Sequence, residues 1–144
     1  MEHLKQALVF LVGQNRYAMD ILDLKEVCRM PRVESASGSG GGMLGIIHMH
    51  GQPVEVFDMA RLLGDLQSDV CTLPSDGLSR RWIVVGHTPG GATHWRVDKV
   101  EDIIEINPDQ VVPSDGVDTP DVLDLDGGVA HLLTPEFLCA RLAT

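Results

Sequence analysis

Two stretches of the chain echo one another, and this echo limits the fold more than any other feature. Tyr17-Ala18-Met19-Asp20 running on to Val27 resembles Trp95-Arg96-Val97-Asp98 running on to Ile104. Val54-Glu55-Val56-Phe57-Asp58 leads into one short helical segment as Ala130-His131-Leu132-Leu133-Thr134 leads into another. The offsets nearly agree (98 − 20 = 78; 134 − 58 = 76). A recurring order of small elements implies two similar β units. With about five short strands each, both units gain from curling into a barrel, because closure removes exposed strand edges.

The strands are read from apolar runs bounded by turn chemistry. Ala7–Val12 is unbroken apolar sequence, and Gly13-Gln14-Asn15-Arg16 turns it back into Tyr17-Ala18-Met19. Apolar residues at 21, 24 and 27 predict a short helical turn that leads into Val27-Cys28-Arg29-Met30 and ends at Pro31. Ser35–Gly42 is a low-complexity Gly/Ser loop. Met43–Met49 and Pro53–Phe57 form a hairpin across His50-Gly51-Gln52, in which Gly51 takes positive φ. Asp58 caps a short helix over 59–63 that stops at Gly64. Residues 65–81, without periodicity, mark the approximate junction between the two units of a single domain spanning 1–144. Beyond it, Trp82–His87 and Thr93–Val97 read as strands. Leu123–Leu125 and Val129–Leu133 read as a hairpin turning at Asp126-Gly127, and Thr134-Pro135 opens a closing helix.

Bulk properties exclude several function classes. The 144 residues are enough for one ordinary domain. A formal charge of −10 with no Lys/Arg cluster argues against nucleic acid and against anionic lipid, and no stretch is long and apolar enough for membrane insertion. The first residues lack the pattern of an export signal, and three well-separated cysteines, Cys28, Cys71 and Cys139, suit a reducing compartment, so a cytoplasmic location is expected.

Candidate chemical groups are weighed against structural uses. His48 and His50 lie two apart on a predicted strand, and His87 and His94 flank a turn, so a small metal-dependent enzyme built on these four is conceivable. The spacing fits no helix-borne histidine pair, and solvated turn histidines are the expectation. Asp20, Asp58 and Asp98 each stand where an acid caps a helical turn. Gly38–Gly42 is followed by no lysine and forms no phosphate cradle, and Ser39 lies in low-complexity sequence rather than at a nucleophile elbow. No catalytic residue, cofactor or metal site is assigned.

The segments Leu11 to Asp20, Leu44 to Met59, Trp82 to Val85 and Arg96 to Ile103 occur in the order and spacing of CheW-like domains, and nearly the whole chain resembles that family. The most specific pieces are G-I-I-x-x-x-G-x-x-V-x-V-x-D from Gly45 to Asp58 and V-D-x-V-x-x-I from Val97 to Ile103. The resemblance implies a pair of SH3-like five-stranded barrels around a shared core. It further implies a non-enzymatic adaptor that links a CheA-type histidine kinase, through the kinase's CheW-like regulatory domain, to the cytoplasmic tips of chemoreceptors. The partner-binding residues expected on this basis are Ile21, Leu24 and Val27 in one echoing segment, Val97 and Val100 in the other, and His50 and Gly51 at the hairpin turn. Family members usually carry Asn-Leu-Arg-Gly where this chain has His48-Met49-His50-Gly51, and an arginine often follows the aspartate where this chain has Met59-Ala60. An imidazole thus replaces a permanent cation. A divergent scaffold that binds kinase but not ordinary receptors is the alternative these departures suggest.

Overall fold

The apolar run near the start becomes strand β1 (Lys5–Val12), which turns at Gly13 into β2 (Asn15–Asp20). Its sequence does not alternate because both of its faces are buried: Ala7 and Val9 enter one core cluster, while Leu8, Phe10 and Val12 enter another. The computed structural model describes residues 5–13, 15–31, 33–34, 43–63, 82–114, 120–125 and 128–142. The expected Gly/Ser loop, the stop at Gly64, the junction at 65–81 and the Asp126-Gly127 turn lie outside these residues.

The helical turn predicted from 21, 24 and 27 shrinks to a single 3-10 turn, Ile21–Asp23, capped by Asp20 through Leu22 N at 3.0 Å. Leu24 and Val27 instead belong to strand β3 (Leu24–Arg29). A helix this short gains few internal hydrogen bonds, whereas β3 gains a full ladder from β6 (Trp82–Thr88). The remaining strands are β4 (Met43–Met49), β5 (Gln52–Asp58), β7 (Gly91–Val97), β8 (Lys99–Ile106), β9 (Val111–Val112), β10 (Asp121–Leu125) and β11 (Gly128–Leu133). Two helices close the halves, α1 (Met59–Leu62) capped by Asp58 and α2 (Pro135–Leu142) capped by Thr134. Asp98 departs from expectation: its carboxylate accepts from Gly13 N at 2.6 Å and caps no helix.

The strands form two sheets, ordered β8-β1-β2-β11-β10-β9 and β3-β6-β7-β5-β4. Each sheet draws strands from both sides of 65–81. The first hairpin of each half sits among strands of the other half, β1–β2 among four and β6–β7 among three, with parallel contacts β2–β11 and β5–β7. A constant shift relates the two sheets. Leu24↔Gly86 followed by Glu26↔Val85, with a bulge between, recurs as Val100↔Phe10 followed by Asp102↔Val9 (100 − 24 = 76). Ile46↔Glu55 through Met49↔Gln52 likewise recurs as Val122↔His131 through Leu125↔Gly128 (122 − 46 = 76). The shift of 76 seen at Asp58 and Thr134 therefore holds in both sheets, and the counterpart of Trp95 is Met19 rather than Tyr17.

Three apolar clusters follow from this arrangement. Ala7, Val9, Ala18, Ile106, Leu123 and Ala130 fill the six-stranded sheet, and Ile47, Met49, Val56, Ile83 and Val85 fill the five-stranded one. A larger cluster that includes Phe10, Tyr17, Met19, Trp95, Val97 and Leu138 lies between the sheets and is shared by both.

Candidate partner-binding site

The hairpin β4–β5 reverses over two residues, and both have positive φ: 53° at His50 and 79° at Gly51. This is the mirror-image turn whose twist matches that of the flanking strands, so glycine at 51 is required by the backbone. While Gln52 already belongs to β5, His50 stands at the tip of the expected turn, with its side chain 73 % exposed. Its Nε2–H donates to Glu26, whose carboxylate oxygens lie at 2.9 and 3.0 Å. Glu26 is on β3, at the opposite edge of the five-stranded sheet from β4. Beside it, Cys28 Sγ meets Met49 Sδ at 3.9 Å. These contacts draw the two edge strands together and curl the sheet toward a closed barrel.

The candidate residues divide into two groups. Val97 is 1 % exposed in the shared core, and Leu24, Val27 and Val100 pack against that core while partly buried. Ile21 is half-buried in the 3-10 turn. His50 and Gly51 are exposed, and through Glu26 they reach the strand that carries Leu24 and Val27. Pattern reading missed Leu22, which is 80 % exposed on the 3-10 turn. A helix-like reading places it on the polar side, so only its size hinted at a contact role. Next to it, burial pushes the Asp23 carboxyl above the usual range; Asp20 and Glu136 add to this, while Lys5 and His87 oppose it.

Burial holds His94 below the usual histidine range; Glu26 opposes this, and Lys25 and His50 reinforce it. Cys28 is raised, first by burial and then by Glu26, which keeps it a protonated thiol. Among the described residues, no three His, Cys, Asp or Glu side chains are placed to hold a metal ion, and no helix is long and apolar enough to cross a membrane. What the arrangement offers is contact surface: an exposed turn tip, an exposed leucine and strand faces braced by a core.

The model of the CheW-like domain matches residues 6–142. The chain belongs to the CheW-like family. A probable chemotaxis protein CheW from Rhizobium etli is 23 % identical over 110 residues, which is 76 % of this chain and 66 % of that protein, slightly under two thirds of the relative's length. The scaffolding protein TtCheW from Thermoanaerobacter tengcongensis has the same fold, with a TM-score of 0.80 at 20 % identity over 94 % of this chain and 92 % of that one. The two sheets and few short helices agree with that CheW structure. In this CheW-like chain the imidazole at position 50 is held by Glu26, and Asp58, followed by Met59-Ala60, is served from another strand by Arg96 at 2.9 Å and from the next turn by Arg61 at 3.7 Å.

Proposed function

We propose that this chain is a non-enzymatic adaptor of a chemosensory array, located in the cytoplasm, that joins a CheA-type histidine kinase to the cytoplasmic tips of chemoreceptors. The observation that carries the reading is the use to which the family motif is put. Gly45 makes room for the chain at 33–34, Gly51 forms the turn, Asp58 caps α1, and Val97 and Val100 serve the core. The motif residues build a rigid frame, and the side chains left outside it, Leu22, His50 and the half-buried Ile21, are of the kind that other proteins grip. Two barrels on one frame can hold two partners at a fixed separation, which is what coupling a kinase to a receptor requires.

The test is calorimetric titration of the full chain with the CheW-like regulatory domain of a CheA-type kinase and, separately, with a receptor cytoplasmic fragment. Saturable binding to both is expected. Failure to bind either at several hundred micromolar rules the proposal out.

A further inference from the structure

The 76-residue shift lets each barrel serve as a control for the other. In the five-stranded sheet the seam between edge strands is shut by Cys28 against Met49 and by His50 on Glu26. The counterparts of Cys28, Met49 and Glu26 are Ile104, Leu125 and Asp102, and among the described residues the seam here is open. A groove of about 390 Å³ runs along it, with Val9, Ile104 and Leu125 supplying the apolar floor and Asp102 and Glu105 the exposed rim. At one end Arg16 is already paired with Glu101 at 3.0 Å. Among the described residues Asp102 Oδ1 accepts only from Ile103 N, and neither Asp102 nor Glu105 has a cationic partner. The residue 76 positions after His50 in the sequence is Asp126, an acid rather than an imidazole. Among the described residues, β8, the strand forming one wall, pairs only with β1 and leaves its other edge open.

We propose that this seam is a docking groove for an extended basic segment of a partner protein. The segment runs along the open edge of β8, sets a lysine or arginine against Asp102, with Glu105 adding to the negative potential of the rim, and lays a neighbouring aliphatic side chain on Val9, Ile104 and Leu125. It thereby supplies in trans the contact that His50 supplies within the other barrel. Charge selects the occupant, since a groove with unneutralised carboxylates on a chain of net charge −10 repels an acidic segment and attracts a basic one. The open strand edge selects its conformation, because an extended backbone satisfies the unpaired groups of β8. The inference rests on the adaptor reading only in taking the occupant to be a protein.

Two blocked pentapeptides, Val-Lys-Val-Arg-Val and Val-Glu-Val-Glu-Val, are titrated into the 15N-labelled full chain and followed by amide shifts. The expected result is saturable perturbation by the basic peptide at Val9, Ile104, Glu105 and Leu125, weakened about tenfold or more in Asp102→Asn/Glu105→Gln and by added salt. Both rim side chains are exposed, and the same spectra report whether the variant is folded. The proposal is overturned if the basic peptide leaves these amides unmoved at several millimolar, if the acidic peptide shifts them equally, or if the neutralised variant binds as well as the parent. The kinase-domain titration is unaffected by any of these results, so the two readings fail separately.

Discussion

Arg96 and Asp58 stand opposite each other on the parallel strands β7 and β5, joined at 2.9 Å with residue exposures of 1 % and 3 %. Asp58 also accepts from Ala60 N at 3.2 Å, so a single carboxylate starts a helix and holds a buried guanidinium. Arg61 approaches the same carboxylate at 3.7 Å from the surface. Nε and Nη1 of Arg96 have no partner among the described residues, which makes the pair costly to bury and costlier to break. Asp58→Ala is expected to lose about 3–5 kcal/mol in urea denaturation, because it strands a buried cation. Asp58→Asn combined with Arg96→Met keeps a capping oxygen and removes both charges, and should fall within about 2 kcal/mol of the parent. Additive losses in the double variant would show that the two side chains are not coupled.

Gly45 faces a close approach. A Cβ there would collide with the Glu34 carbonyl and the Val33 side chain, where Glu34 and Ile46 exchange two 2.8 Å backbone hydrogen bonds. Gly45→Ala should cost about 2–3 kcal/mol and speed hydrogen exchange at the Ile46 amide, since the bridge must open. Unchanged exchange at Ile46 would contradict this.

His94 titrates below its ordinary value, chiefly because it is partly buried. Its contribution to stability is complete above the unfolded value of about 6.5 and declines as pH falls below it, because the unfolded chain takes up the proton first. Replacing it, as in His94→Gln, should flatten the fall in urea midpoint below about pH 6.5. Asp23 has the opposite sign. Its raised value means that its contribution is present below about pH 3.8 and lost as pH rises through the folded value, so Asp23→Asn should stabilise the chain near neutrality.

Val97 and Leu22 separate core from contact. Val97→Ala removes two methyl groups from the shared core and should cost about 1–3 kcal/mol while leaving affinity for partners intact in the folded fraction. Leu22→Ala, at a site 80 % exposed, should change stability by less than about 0.5 kcal/mol and weaken partner binding in the calorimetric titration. If Leu22→Ala leaves both unchanged, the 3-10 turn is not a contact surface.

Much of the candidate site could be read in the sequence, though not which residues stay accessible. The turn at His50-Gly51 and the caps at Asp58 and Thr134 depend on near neighbours, so residue type was enough. Val97, Val100, Leu24 and Val27 could not be sorted into core or surface, because an apolar residue on a strand looks the same in either role until the opposite sheet is known. Arg96 gave no clearer signal than a charge interrupting an apolar strand; its meaning depends on Asp58, 38 positions away.

The sequence by itself determined the strands and turns, the repeated order of elements and the family, since these rest on local backbone preference and on patterns within a few residues of one another. Tertiary structure decided that 24–27 is strand rather than helical turn, that each sheet borrows strands from both halves, and that Glu26 and His50 close one barrel seam. Those outcomes depend on contacts between residues some 40 to 115 positions apart, such as Asp58 with Arg96 and Tyr17 with His131, and hydrogen-bond ladders and shared burial across such distances outweigh the preferences of any short segment.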